Sequence, residues 1–191
     1  MKLAALALLA TLPALAQERV QQRMLVKERH WFVSAGPALL SRGDYYDSPG
    51  AALSAAWYAT ETTGVELRAA FFFSRLGAAG REVFNTTGLL PDSQRPVSLL
   101  TLGVRRSLTY GKLALGSAVV HFDVQAGAHA GGLLTDRALT PAVSASLGFV
   151  ARITERLHAQ LDVAALGSLE RRTHRVFALG VLPLFTVGAE L

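Results

Sequence analysis

His121 and Asp123 stand two residues apart in VHFDVQAGAHAGG, and His129 follows six residues after Asp123. A second histidine–acid pair, His158 and Asp162, sits in RLHAQLDVAAL. Two chemistries use such residues. A hydrolase or acyltransferase needs an acid to orient a histidine that activates a hydroxyl. A metal centre needs several His, Asp or Glu side chains converging on one ion. Spacing argues against both. In an extended strand His121 and Asp123 lie about 7 Å apart, and His129 about 20 Å beyond Asp123. One strand cannot gather three ligands at that spacing, and no serine is framed by a nucleophile motif. The expectation is therefore no catalytic residue, no metal, no cofactor and no enzyme.

Alternation gives these residues another meaning. Val120, Phe122, Val124, Ala126, Ala128 and Ala130 form one row; His121, Asp123, Gln125, Gly127, His129 and Gly131 form the other. Successive strand side chains point to opposite faces, so this is a strand with one apolar and one polar side. GVELRAAFFFS repeats the design, with Val65, Leu67, Ala69, Phe71 and Phe73 against Glu66 and Arg68. So does RLHAQLDVAAL, with Leu157, Leu161 and Val163 against His158, Gln160 and Asp162. In SASLGFVARI, Leu147 and Phe149 oppose Ser144, Ser146, Gly148 and Arg152.

Eight such runs are expected: 31–40, 51–60, 64–74, 97–105, 118–132, 141–153, 156–166 and 176–191. Tight turns at Glu61–Gly64 and Thr154-Glu155 alternate with longer links: SRGDYYDSPG, RLGAAGREVFNTTGLLPDSQRP, LTDRALT and GSLERRTHR. Short turns at one end and longer loops at the other form the outer-membrane pattern, with the short turns periplasmic. RSLTYGKLALGS reads as one longer periplasmic connection that partly extends its flanking strands.

Composition bounds the setting. The 191 residues are 51% hydrophobic and only 17% charged, and no internal run is long and apolar enough for a membrane helix. With no cysteine, neither a disulfide nor a thiolate metal site can form. The net charge of +5 is modest and the arginines are scattered, so nucleic acid is not an expected partner. MKLAALALLATLPALA has the basic start, apolar run and small-residue end of a secretory signal peptide, with cleavage expected after Ala16. Residues 17–29 then read as a periplasmic lead-in and 30–191 as the folded domain.

An unpaired backbone group in hydrocarbon costs several kcal/mol, so a sheet survives there only if it closes. The expected fold is all-β: an eight-stranded, antiparallel, up-and-down transmembrane β-barrel, with apolar rows toward lipid and charged rows inward. A soluble carrier barrel would reverse those faces; the low charge, the signal peptide and the small residues of the polar rows favour the membrane form. Trp31, Trp57 and Tyr58 fall near strand ends, where they serve either an interfacial belt or ordinary sheet packing.

TYGKLAL, VVHFDVQAGAHAGG, a glycine- and serine-rich strand and ARITERLHAQLDV together resemble the outer-membrane β-barrel domain of myxobacterial-type proteins, over most of residues 30–191. The general shape is similar to small barrels of the outer-membrane protein A and X type. The resemblance implies an envelope location, and an association with envelope complexes linked in some relatives to gliding motility. Such barrels commonly end on phenylalanine; this chain ends VGAEL, although Phe185, Val187, Ala189 and Leu191 keep the alternation.

In a lumen this narrow the inward residues Glu66, Arg68, Arg105, His121, Asp123, Arg152, His158 and Asp162 are expected to form a polar network, joined by Glu190. Unpaired buried charge is costly, so such a network plugs the barrel. The expected function is a structural or interaction component of the cell envelope. The alternatives are a narrow solute channel and, less favoured, a lipid-modifying enzyme. Expected partners are outer-membrane lipid, lipopolysaccharide and an envelope protein complex. Loop residues Tyr45 and Tyr46 beside Asp44 and Asp47, and Arg171, Arg172, His174 and Arg175, are either contact points or solvated loop.

Overall fold

The computed structural model describes residues 26–115, 118–171 and 175–191. The expected signal peptide and residues 17–25 of the lead-in lie outside them. Nine strands follow in order: β1 (Trp31–Leu40), β2 (Tyr46–Tyr58), β3 (Thr63–Phe72), β4 (Arg75–Leu76), β5 (Pro96–Leu115), β6 (Ala118–Thr135), β7 (Leu139–Arg152), β8 (Leu157–Arg171) and β9 (Arg175–Glu190). One helix, α1 (Ala78–Thr87), lies between β4 and β5. Eight strands pair antiparallel in the order β1-β9-β8-β7-β6-β5-β3-β2, and β1–β2 pairing closes the ring. β4 is a two-residue spur that pairs with Tyr46 and Asp47 of β2 above the wall.

The strands end where local chemistry stops the ladder. At one end the β2–β3 turn is held by Ala59 and Thr60 N–H groups, both donating to the Thr63 carbonyl. Ile153 and Thr154 bond to Leu157 in the same way in the β7–β8 turn. At the other end the link between β3 and β5 is the one long loop of the described residues. It contains α1, which stops at Gly88 in the left-handed region (φ 70°), where the Gly88 N–H donates to Phe84 O.

Four expected boundaries are corrected. The run placed at 51–60 begins at Tyr46, because Ser48–Gly50 pair with Ala38–Leu40. The run placed at 97–105 extends to Leu115, so RSLTYGKLALGS is a projecting hairpin and not a connection. A bulge between Ser107 and Thr109 hid this by shifting the parity of the alternation. GSLERRTHR is mostly strand, since Ser168–Arg171 pair with Arg175–Ala178. LTDRALT is a tight turn closed by Thr135 and Ala138.

The outer face is apolar around the ring. Val65, Leu67, Leu102, Val104, Leu147, Leu161, Val163, Val181 and Phe185 are all exposed. At about 3.3 Å per residue and a tilt near 40°, the outward row from Leu157 to Leu169 rises about 30 Å, enough to cross a hydrocarbon core. Trp31 and Trp57 are cross-strand partners on the outside near the short-turn end. Tyr58, expected beside them, points inward and is 3% exposed, because the next residue along a strand takes the opposite face.

The interior has two halves. Charged and polar residues fill the half near the short turns. Leu40, Phe72, Leu99, Leu133, Leu166, Leu182 and Leu184 form an apolar layer in the other half. A fully polar inner wall was expected; the same inward parity that gives Glu66 and Arg68 gives Ala70 and Phe72 two and four residues later. Glycine is required where the network crowds the wall. A Cβ at Gly148 would collide with Asp162 Oδ1. Gly148→Val should therefore displace Asp162 and cost about 1–3 kcal/mol. A lower midpoint in urea unfolding from lipid vesicles would register it; an unchanged midpoint would show that the lumen has room to spare.

Candidate functional site

The lumen is occupied along its length, layer by layer. At the short-turn end the lead-in folds back into the mouth. Arg29 adopts φ 63°, a conformation that favours turning, and its N–H donates to Tyr58 O at 2.7 Å. The backbone N–H groups of Lys27 and Glu28 donate to the Glu61 carboxylate at 3.2 and 3.1 Å. Lys27 is thereby carried inside, where it is 3% exposed. Its Nζ bonds Asp123 Oδ2 and lies 5.2 Å from the centre of the Tyr58 ring. Asp123 also accepts from Ser107 Oγ and from Gln125 Nε2. Phe32 packs edge-on against Tyr58 and His158, with ring centres 5.4 and 5.6 Å away.

Above this latch lies a compact ion cluster. Arg105 Nε donates to Glu66 at 3.0 Å, Nη1 to Gln125 at 3.1 Å and Nη2 to Asp162 at 2.7 Å. Arg68 Nη2 reaches Asp162 at 3.1 Å and Glu66 at 3.2 Å. His129 Nε2 lies 2.8 Å from Glu66 Oε2, and Gln160 donates to Asp162. Two guanidinium groups thus face two carboxylates in a ring drawn from β3, β5, β6 and β8. Four strands can converge here because the barrel is narrow. The void bounded by Lys27, Tyr58, Glu66, Arg105, Gln125 and His158 is about 10 Å³, the size of one water.

The far mouth is capped. Arg42 pairs with Glu170 and, at 2.6 Å, with Asp44. Gln94 descends from the long loop, donates to Arg171 O at 2.6 Å and accepts from Thr135 Oγ1 at 2.9 Å. Ser93 Oγ donates to Asp44 at 3.0 Å.

Of the eight residues expected in the polar network, Glu66, Arg68, Arg105 and Asp162 are in mutual contact. Asp123 and His158 are buried nearby. His121 and Arg152 stand apart from the cluster, on a cleft of about 880 Å³ at the short-turn mouth. There His121 Nδ1 bonds the Tyr110 hydroxyl and Arg152 meets Glu190 at 3.0 Å. They lie low because β6 and β7 continue past the level of the cluster.

Sequence reading missed Lys27, placed in a solvated lead-in, and Arg42, Gln94 and Glu170, placed in loops. Gln125 and His129 were visible in the polar row but were not singled out. The one signal for Lys27 was an excess of inward acids over β-strand cations near that mouth. Of the loop candidates, Asp44 is engaged in the cap, Tyr45 is exposed and Arg171 lends its carbonyl to Gln94. Arg172 and His174 lie outside the described residues, as does the side chain of Arg175.

His129 is held by Glu66 and lies beside Ser146 across Gly127, and the two residues are 4% and 6% exposed. No group of three or more His, Asp or Glu among the described residues is placed to hold a metal ion.

No protein-family profile and no curated protein matches the chain. Several solved structures are similar in fold, among them a de novo designed transmembrane β-barrel, 12% identical, with a TM-score of 0.45 over 86% of this chain and 98% of that one. The outer membrane protein OprG from Pseudomonas aeruginosa is 12% identical, with a TM-score of 0.49 over 88% of this chain and 98% of that one. The attachment invasion locus protein Ail of Yersinia pestis is 12% identical, with a TM-score of 0.44 over 86% and 99%. Neisserial surface protein A is 9% identical, with a TM-score of 0.45 over 83% and 96%. The closed sheet, its apolar outer belt and its filled interior make this chain a small β-barrel of the outer membrane.

Proposed function

We propose that this barrel acts as a structural or interaction component of the cell envelope and not as a conduit. The observation that carries the reading is the filled lumen: among the described residues latch, ion cluster, apolar layer and cap follow one another, and the void beside the cluster is the size of one water. A barrel so packed offers partners its two rims and its outer wall. The sequence resemblance to myxobacterial-type envelope barrels is in keeping with that role, and it extends the proposal to membership of an envelope complex. Lipopolysaccharide phosphate is a further partner by chemistry, since Arg75, Arg81, Arg95, Arg137 and Arg171 are exposed at the long-loop end.

A planar bilayer decides between this reading and a channel. The refolded barrel should show no stepwise conductance at physiological salt. The doubly neutral variant Arg105→Ala with Glu66→Ala, which empties the centre of the cluster, should remain below a resolved step as well, because latch and cap lie on either side. Discrete openings of the natural chain would refute the proposal.

A further inference from the structure

The β5–β6 hairpin outruns the rest of the barrel. β5 keeps β3 at its side only as far as Arg106, which pairs with Thr63. The Ser107 N–H still reaches Thr62 O at 2.7 Å. From there to Leu115, β5 pairs with β6 alone, and no other strand among the described residues lies along its outer edge. Eight residues at about 3.3 Å each make an open edge roughly 26 Å long. The edge leaves the barrel at the short-turn end, below the level of Trp57, so it stands in water on the periplasmic side.

Open edges invite a further strand, and proteins commonly blunt them with charge, proline or bulges. This edge has little such protection. Leu108–Leu115 reads LTYGKLAL, with no proline and a single charge. Its bulge sits at the root, and the ladder from Thr109 to Leu115 is regular. Leu108 and Leu113 are 57% and 48% exposed, and Val119 on the paired strand is 58% exposed. A strand added here in line with β3 would continue the β3–β5 ladder and run antiparallel to β5.

Charge selects among occupants. Along the open edge Lys112 is the one cationic residue, on the face it shares with its cross-strand partner His121. The hairpin's one acid, Asp123, is turned inward and engaged by Lys27, Ser107 and Gln125. A fitting strand therefore carries acidic side chains alternating with apolar ones. The chain's own residues 17–25, QERVQQRML, bring Arg19 and Arg23 against a single Glu18. A second copy would set two Lys112 on one ladder with no acid between them.

We propose that the outer edge of β5, Leu108–Leu115, is a docking site for an extended, acidic–apolar strand of an envelope partner protein, held by strand addition. This rests on the reading of the barrel as an interaction component, and it names the surface that does the interacting.

The test uses the full barrel in lipid nanodiscs and a capped nonapeptide of alternating Glu and Val. Its controls are an Arg–Val peptide and a Glu–Val peptide N-methylated at every second amide. At ten times its Kd the Glu–Val peptide should slow hydrogen exchange of the outward amides of 108–115 roughly tenfold. The N-methylated peptide should not, because it cannot complete the ladder. Lys112→Glu, an exposed change outside the barrel wall, should transfer the preference to the Arg–Val peptide. Free exchange with every peptide would overturn the proposal. So would protection that needs no peptide and disappears on deleting residues 17–25, or that rises with protein concentration alone. Conductance of the same sample separates the two readings: a closed barrel that binds no peptide sinks only the docking site, whereas an open one sinks the function proposed above.

Discussion

Arg105→Ala should destabilise the barrel more than any other single truncation in its interior, by about 3–5 kcal/mol. The side chain is 2% exposed as a residue and spends its donors on Glu66, Gln125 and Asp162. Removing it leaves two carboxylates buried with Arg68 as the remaining guanidinium between them. The loss comes mainly from stranded charge and not from the bonds themselves, so changing both sides should cost less than the sum. Arg105→Met combined with Glu66→Gln is expected to recover part of the stability, a coupling that a double-mutant cycle isolates. Arg105→Lys keeps the charge but not the planar fork, and should fall between. Urea unfolding from vesicles reads all three variants, because Trp31 and Trp57, the chain's two tryptophans, both sit on the lipid face. A midpoint for Arg105→Ala equal to that of the natural chain would mean that the cluster is wet and the lumen open.

How much of this was legible beforehand depends on the range of the interactions. Alternation is a property of adjacent residues, so rows such as Val65–Phe71 against Glu66 and Arg68 revealed strands, faces and closure. The β1 span Trp31–Leu40 was readable because a largely apolar run stands between the charged lead-in ending at His30 and the polar link SRGDYYDSPG, although its inward and outward faces emerge only in the structure. The projecting hairpin was not, because one bulged residue at Leu108 reverses the face of everything after it, and RSLTYGKLALGS then scans as irregular. The strand content of GSLERRTHR was hidden for a different reason: its inward residues are Ser168 and Glu170, and their burial depends on Arg42 and the rest of the cap, which lie far away in sequence. The candidate site was legible in kind but not in partners. Glu66, Arg68, Arg105 and Asp162 announce themselves as inward charges on three separate runs, yet which meets which depends on stagger around the ring. Lys27 was out of reach, since its burial depends on a turn at Arg29 and on a carboxylate 34 residues away at Glu61.

Leu67→Arg is the second large effect expected, and it tests the outer face as Arg105→Ala tests the inner one. Leu67 is exposed at mid-height of β3, beside Ala55 of β2 and Leu102 of β5, both also outward. A cation placed there sits near the centre of the bilayer and should cost about 2–4 kcal/mol. Arg106 lies on the same outward parity as Leu102 and Val104, at the level where β3 begins, and is itself exposed. Arg106→Leu should therefore change the unfolding midpoint little, since that position is at the interface and not in hydrocarbon. The contrast matters more than either number. A soluble barrel would tolerate Leu67→Arg on an outer face in water, whereas a lipid-embedded one penalises charge by depth. Moving the arginine stepwise from Leu67 to Val65 and then to Thr63 should reduce the penalty with each step toward the short turns. A flat response along β3, measured in vesicles of fixed thickness, would remove the membrane from the account of this surface and leave its exposed leucines unexplained.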